Sequence, residues 1–180
     1  MTTVEAIKHK KDLLKIEKLL QKENYRDFLL FCFGINTGLR ISDILKLDIK
    51  DVKNKNFVQI KEKKTGKFKK FPLNSKLKQL IEFYTNNKEL DEPLFKTKYG
   101  NRLDRIMAYK IIKKACNTIN PDITVGTHTL RKTFGYHYFK QFKNIVMLQK
   151  IFNHSSQEIT LRYIGIEQDD IYNSYLSFIL

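Results

Sequence analysis

Apolar positions recur every three or four residues through most of the chain, a pattern that predicts a mainly helical protein. Leu13, Leu14, Ile16, Leu19 and Leu20 share one broad face of a segment over 12–22, with lysines opposite. Asn24 has the side chain to cap a second helix carrying Phe28, Leu29, Phe31, Cys32 and Ile35, and Gly38 suits its end. A third helix is expected from Arg40 or Ile41 to about Lys46. The period then changes. Phe57-Val58-Gln59-Ile60-Lys61 and Phe68-Lys69-Lys70-Phe71 flank Lys64-Thr65-Gly66-Lys67, which reads as a hairpin turning at Thr65-Gly66, with Pro72 closing its second strand. Asn74 or Ser75 caps a helix to about Asn86, and Pro93-Leu94-Phe95 reads as a short third strand. Helices follow over 104–118, 128–140, 144–152, 156–164 and 168–179. No repeat or Pro/Gly-rich linker divides the sequence. The expectation is an α+β protein in one domain, mainly helical, with a small three-stranded antiparallel sheet.

Charge narrows the partners. The chain has 34 Lys and Arg against 19 Asp and Glu in 180 residues, a formal net charge of +15. Such an excess suits a polyanion, because each neutralised phosphate releases condensed counterions. Basic chains also meet anionic lipid, but no segment approaches the ~18 apolar residues of a membrane span. The polar start lacks the apolar stretch of a signal peptide. Cys32 and Cys116 are too few and too isolated for a disulfide framework or a zinc site, so a reducing cytoplasm fits. Cys32, inside an apolar run, reads as a small buried hydrophobe.

Against that background a few polar residues stand out. Thr127-His128-Thr129-Leu130-Arg131 opens a helix with Thr127 as the expected N-cap, so His128 and Arg131 project from one face of its first turn. Alone, this pattern describes many capped helices. His154 precedes a helix that Ser155 and Glu158 could open as a capping box, and Tyr163 lies two turns along it. Periodicity alone would put Tyr163 with Ile159 on the buried face. Arg40 follows two strongly apolar turns and belongs at the rim of the core, where Asp43 could hold its guanidinium. The hairpin carries six lysines between Lys61 and Lys70, opposed only by Glu62. That run suits a solvated edge strand and a basic finger for a DNA backbone equally.

Taken in order, these pieces resemble a known family. Thr37-Gly38-Leu39-Arg40-Ile41-Ser42-Asp43, Lys64-Thr65-Gly66, His128-Thr129-Leu130-Arg131-Lys132-Thr133-Phe134 and Asn153-His154-Ser155-Ser156 with Tyr163 have the order and spacing of the tyrosine recombinases, or phage integrases. The likeness covers about residues 12 to 165, essentially that family's catalytic domain. It implies a helical fold whose hairpin bears the catalytic Lys64. Tyr163 would attack a DNA phosphodiester, giving a 3′-phosphotyrosyl enzyme and a free 5′-hydroxyl. Arg40 and Arg131 would clamp the non-bridging oxygens, Lys64 would protonate the departing oxygen, His128 would assist the nucleophile and His154 would bond a phosphate oxygen. Lys61, Lys63, Lys67, Lys69 and Lys132 are expected on the DNA backbone, with Asp43 in support. The implied reaction is site-specific recombination on double-stranded DNA without metal, ATP or other cofactor. The same chemistry could serve a topoisomerase-like nicking and resealing enzyme, and the same fold an idle DNA-binding regulator.

Two departures from the family pattern matter. Phe152-Asn153 stands where Leu-Gly is usual, although Asn tolerates a left-handed backbone. The usual N-terminal DNA-clamping domain has no counterpart before Arg40, so a minimal catalytic domain, or a piece of a longer chain, is expected. Ile171, Tyr172, Tyr175, Phe178 and Ile179 form an apolar stripe, for docking on the protein's own core or on a neighbour in a homo-tetramer on DNA.

Overall fold

Asn24 ends one helix and starts the next. In the computed structural model, which describes residues 4–61, 66, 68–166 and 174–179, α1 (Lys10–Glu23) gives way there to α2 (Tyr25–Thr37). The Asn24 side chain accepts the N–H groups of Arg26 and Asp27, and Gly38 stops α2 with φ of +61°. Phe28 through Gly34 are all buried. A helix apolar on every side must be enclosed, and α1, α5 (Ser75–Thr85) and α7 (Thr129–Phe142) pack around it.

The expected third helix is shorter, since α3 covers only Ile41–Ile44. A second short helix, α4 (Ile49–Val52), was not anticipated, because four residues are too few to display a period. Strands β1 (Phe57–Lys61) and β2 (Phe68–Pro72) pair antiparallel with Val58 opposite Phe71. Among the described residues the sheet has two strands, not three. Pro93 makes only an isolated bridge with Asp48, and proline offers no N–H with which to extend a ladder. Leu94 and Phe95 are apolar because they are fully buried core residues.

The second half is helical: α6 (Arg105–Ile119), α7, α8 (Ile145–Phe152) and α9 (Gln157–Ile164). Two caps differ from expectation. His128, not Thr127, occupies the N-cap of α7, and Thr129 instead accepts the Gly126 N–H through its own hydroxyl. Ser156, not Ser155, caps α9 by accepting the Ile159 N–H. Cys32 and Cys116 are buried thiols, and burial pushes Cys116 up to about 12. The helix expected over 168–179 falls largely outside the described residues; 174–177 is helical. No helix among the described residues is long and apolar enough to cross a membrane.

Two apolar clusters result. The larger runs from Ile7 through α1 and α2 to the hairpin, α5 and α6. The smaller consists of Leu148, Phe152 and Ile164, flanked by Phe134, Tyr138 and Tyr163. Gly135 permits the close approach of α7 to that second cluster: a Cβ there would lie 2.6 Å from Ile164 and 2.7 Å from Phe152.

Candidate functional site

Arg131 joins the two clusters. It sits on the first turn of α7 with only 3% of its surface exposed. Its Nη1 donates to the Gly38 carbonyl at 2.6 Å and its Nη2 to the Phe152 carbonyl at 2.9 Å. The guanidinium also stacks on the Phe152 ring, 4.3 Å from its centroid. These two bonds use two of the five N–H donors that a guanidinium fork presents. One side chain thus ties the turn that leads into Arg40 to the turn that leads into His154.

Gly38 adopts a left-handed backbone, and Arg40 emerges two residues on as the N-cap of α3, half-buried at the rim. Asp43 is 2% exposed, and its N–H donates to the Arg40 carbonyl at 2.9 Å. On the other side α8 ends at Asn153 with φ of +53° and ψ of +46°, the left-handed geometry that the Asn-for-Gly departure required. The turn is fixed twice, by the His154 N–H to the Gln149 carbonyl and by Gln149 Nε2 to the His154 carbonyl, both at 3.1 Å.

His154 has a defined orientation. Its Nδ1 lies 3.1 Å from the hydroxyl of Thr160, whose own proton goes to the Ser156 carbonyl. Nδ1 is therefore the donor in that pair, so Nε2 donates only in the imidazolium form. Thr160 is fully buried and its role was not read from the sequence, because a threonine four residues after a cap carries no distinguishing signal.

Tyr163 lies at the centre. Its hydroxyl is 3.0 Å from His128 Nδ1, its ring is edge-on to Phe152 at 5.5 Å and to His154 at 5.1 Å, and the side chain is half-buried. Burial raises the phenol above its ordinary value; Arg131 and Arg40 pull it down, but burial prevails. The group is a neutral phenol at neutral pH, with an imidazole nitrogen in contact and two guanidinium charges nearby. Five of the six expected site residues are therefore gathered. Lys64 lies outside the described residues, as do Lys63 and Lys67.

The remaining basic residues divide. Lys61 is exposed on the hairpin, near the Phe68 ring at 5.8 Å. Lys69 is half-buried and donates to the Ile151 carbonyl at 2.8 Å, which pins β2 to the end of α8. Lys132 donates to the Val4 carbonyl at 2.7 Å and lies over the Tyr163 ring at 5.3 Å. Among the described residues, no group of three or more His, Cys, Asp or Glu could hold a metal ion.

Known proteins share this arrangement of elements. The chain is 44% identical over 179 residues to a probable integrase/recombinase, YoeC, of Bacillus subtilis, covering 99% of this chain and 98% of that one. It is 27% identical over 167 residues to the tyrosine recombinase XerA of Saccharolobus solfataricus, covering 92% of this chain but 55% of the relative. Among solved structures, a XerA recombinase superposes with a TM-score of 0.79 at 17% identity, over 98% of this chain and 64% of that one. The catalytic domain of bacteriophage HP1 integrase gives 0.67 at 21% identity, over 97% and 95%. Both structural likenesses speak for the fold. The model of the phage integrase family itself matches residues 8–169, and with that span the chain belongs to this family, the tyrosine recombinases.

Proposed function

We propose that this recombinase breaks and rejoins DNA through Tyr163. The observation that carries the reading is the 3.0 Å contact of the Tyr163 hydroxyl with His128 Nδ1, within the field of two guanidinium groups. His128 takes the phenolic proton as the tyrosine oxygen bonds to phosphorus. Arg131 and Arg40 offset the charge that grows on the non-bridging oxygens, in a site where their positions are already set. The 5′-oxygen leaves with a proton from Lys64, a role assigned by resemblance. The product is a 3′-phosphotyrosyl linkage and a free 5′-hydroxyl. Because the ester bond is exchanged rather than hydrolysed, a second 5′-hydroxyl can reverse the step without ATP. The chemistry contains no step that needs a metal. His154 donates to a phosphate oxygen as the imidazolium.

Duplex DNA is the substrate, in keeping with the net charge of +15 and with related recombinases solved on DNA, such as XerH bound to its palindromic difH substrate. Exposed Tyr175, Leu176, Phe178 and Ile179 support assembly of copies through the tail, up to a tetramer on DNA. Ile171 and Tyr172 of the same stripe lie outside the described residues.

Supercoiled plasmid tests the reading. Incubation at low salt should give a covalent protein–DNA adduct on a denaturing gel, and Tyr163→Phe should abolish it. DNA binding without an adduct would favour an idle regulator, and an adduct surviving in Tyr163→Phe would move the nucleophile to Tyr172 or Tyr175. Gel filtration with DNA then separates a recombining tetramer from a monomer that nicks and reseals.

A further inference from the structure

Residues 4–7 lie against the helix that carries the site. Val4 sits in the slot left by Gly126, where a Cβ would come within 2.3 Å of its Cγ2. The Glu5 N–H donates to the Thr124 carbonyl at 2.9 Å, and its carboxylate accepts the Thr124 N–H at 3.0 Å. The Ile7 N–H donates to Thr133 Oγ1 and the Ile7 carbonyl accepts from His137 Nε2, both at 2.9 Å. Ile7 is fully buried. Residues 4–7 thus grip the lead-in and the first turns of α7, the stretch that bears His128 and Arg131.

Lys132 connects this segment to the nucleophile. Its ammonium donates to the Val4 carbonyl at 2.7 Å and lies 5.3 Å from the centroid of the Tyr163 ring. His128 and Lys132 are four apart, on one side of α7. His128 meets the Tyr163 hydroxyl while Lys132 meets the ring, so one helix face holds the tyrosine at two points. An ammonium with a carbonyl on one side and a π-face on the other is attracted to both. A cavity of about 80 Å³ beneath the segment is lined by Val4, Lys8, Lys132 and Ile164, so the strap also borders the end of α9, one residue past Tyr163.

We propose that Lys132 is a positioning residue for Tyr163, and that residues 4–7 form a strap that holds Lys132 in place. The proposal rests on Tyr163 as the nucleophile. It gives Lys132 a task other than contact with the DNA backbone, and it makes the N-terminal segment part of the catalytic apparatus. The strap fixes the ammonium, and the ammonium and His128 together fix the ring. Displacement of the strap should therefore slow attack on DNA without loosening the grip on DNA.

The test uses supercoiled plasmid, measuring plasmid binding and the single-turnover rate of adduct formation separately. Lys132→Met should slow adduct formation between about tenfold and about 100-fold, the cost of a misplaced reacting group, with plasmid affinity little changed. Lys132→Arg, which can also donate to a carbonyl and stack on a ring, should restore much of the rate. Gly126→Ala, which pushes Val4 off its seat, should slow the reaction in the same way, and a chain starting at Ala6 provides a second route to the same loss. Combining Gly126→Ala with Lys132→Met should cost little more than either alone, as expected for residues acting through one contact. A wild-type rate in Lys132→Met, or a loss that appears wholly in plasmid affinity, overturns the proposal. An adduct that persists in Tyr163→Phe overturns the nucleophile assignment instead, so the two failures are distinguishable.

Discussion

The cluster around α2 and the cluster under Tyr163 are built on different scales. The first draws buried side chains from α1, α2, the hairpin, α5 and α6. The second has three, Leu148, Phe152 and Ile164, yet the helices around it and the turns that join them carry His128, Arg131, His154 and Tyr163. Stability belongs mainly to the large cluster, and the candidate site stands on the small one. Regions with few buried apolar contacts open more readily, so α8 and α9 should loosen more easily than α1 and α2. Arg131 bonds both sides and restrains that motion.

The strongest test of this contrast is Arg131→Ala. It abandons two carbonyls beside a buried guanidinium site, at about 1–3 kcal/mol for each group left unpaired. It should also remove at least about 10²–10³-fold of the strand-cleavage rate, the usual weight of a preorganised charge-stabilising donor. Arg131→Lys should recover little of either, since an ammonium cannot span both carbonyls as a fork does. Denaturant unfolding and adduct formation, measured on the same samples, check both parts.

Phe152→Ala and Leu30→Ala come next, and their difference matters more than their size. Each should cost about 2–5 kcal/mol as a large-to-small change in a packed site. Leu30→Ala should lower protection from hydrogen exchange throughout the molecule. Phe152→Ala should lower it first in α8 and α9 and leave α1 and α2 closer to wild type. Equal loss everywhere would mean that the two clusters unfold as one.

Alkaline pH separates the regions more gently. Tyr163 in the small cluster and Tyr25 and Tyr84 beside the large one are all raised by burial. A phenol whose folded value lies above its unfolded value of 10.0 keeps its full contribution to stability below that pH; above it the unfolded chain ionises first, so folding loses stability as pH climbs toward the folded value. Tyr163→Phe should flatten the decline in melting temperature above about pH 10, leaving the share from Tyr25 and Tyr84. An unchanged slope would mean that Tyr163 is solvated in solution.

The same division governs what the sequence disclosed. The large cluster was legible because α1, α2 and α5 repeat apolar residues over enough turns to show a period, and Asn24, Gly38 and Asn74 punctuate them by simple capping chemistry. The supposed third strand failed because Pro93-Leu94-Phe95 has the apolarity of a strand but is core packing in a loop. Around the site, the ordered motifs located Arg40, His128, Arg131, His154 and Tyr163. Their supports were hidden, because they are backbone carbonyls of Gly38, Phe152 and Val4 or an ordinary threonine at 160. A carbonyl has no sequence signature. The partner of Lys132 was hidden for the same reason: its carbonyl acceptor is 128 positions away.

The smallest effect concerns Asn153, the hinge between the small cluster and His154. Its φ of +53° and ψ of +46° lie where side chains with a Cβ are penalised by about 1–2 kcal/mol, with Gly exempt and Asn partly so. Asn153→Gly should therefore leave stability within about 1 kcal/mol of wild type, relief of strain being offset by the greater freedom of the unfolded chain. Asn153→Val should be worse than either, since a β-branched residue tolerates this backbone least. Because Arg131 holds the Phe152 carbonyl immediately before the hinge, the cost should appear in His154 rather than in the fold. Cleavage should slow a few-fold in the valine variant while the unfolding midpoint of α1 and α2 stays fixed. If the valine variant instead unfolds the whole chain earlier, the small cluster is not a separable platform and Arg131 is its anchor in both directions.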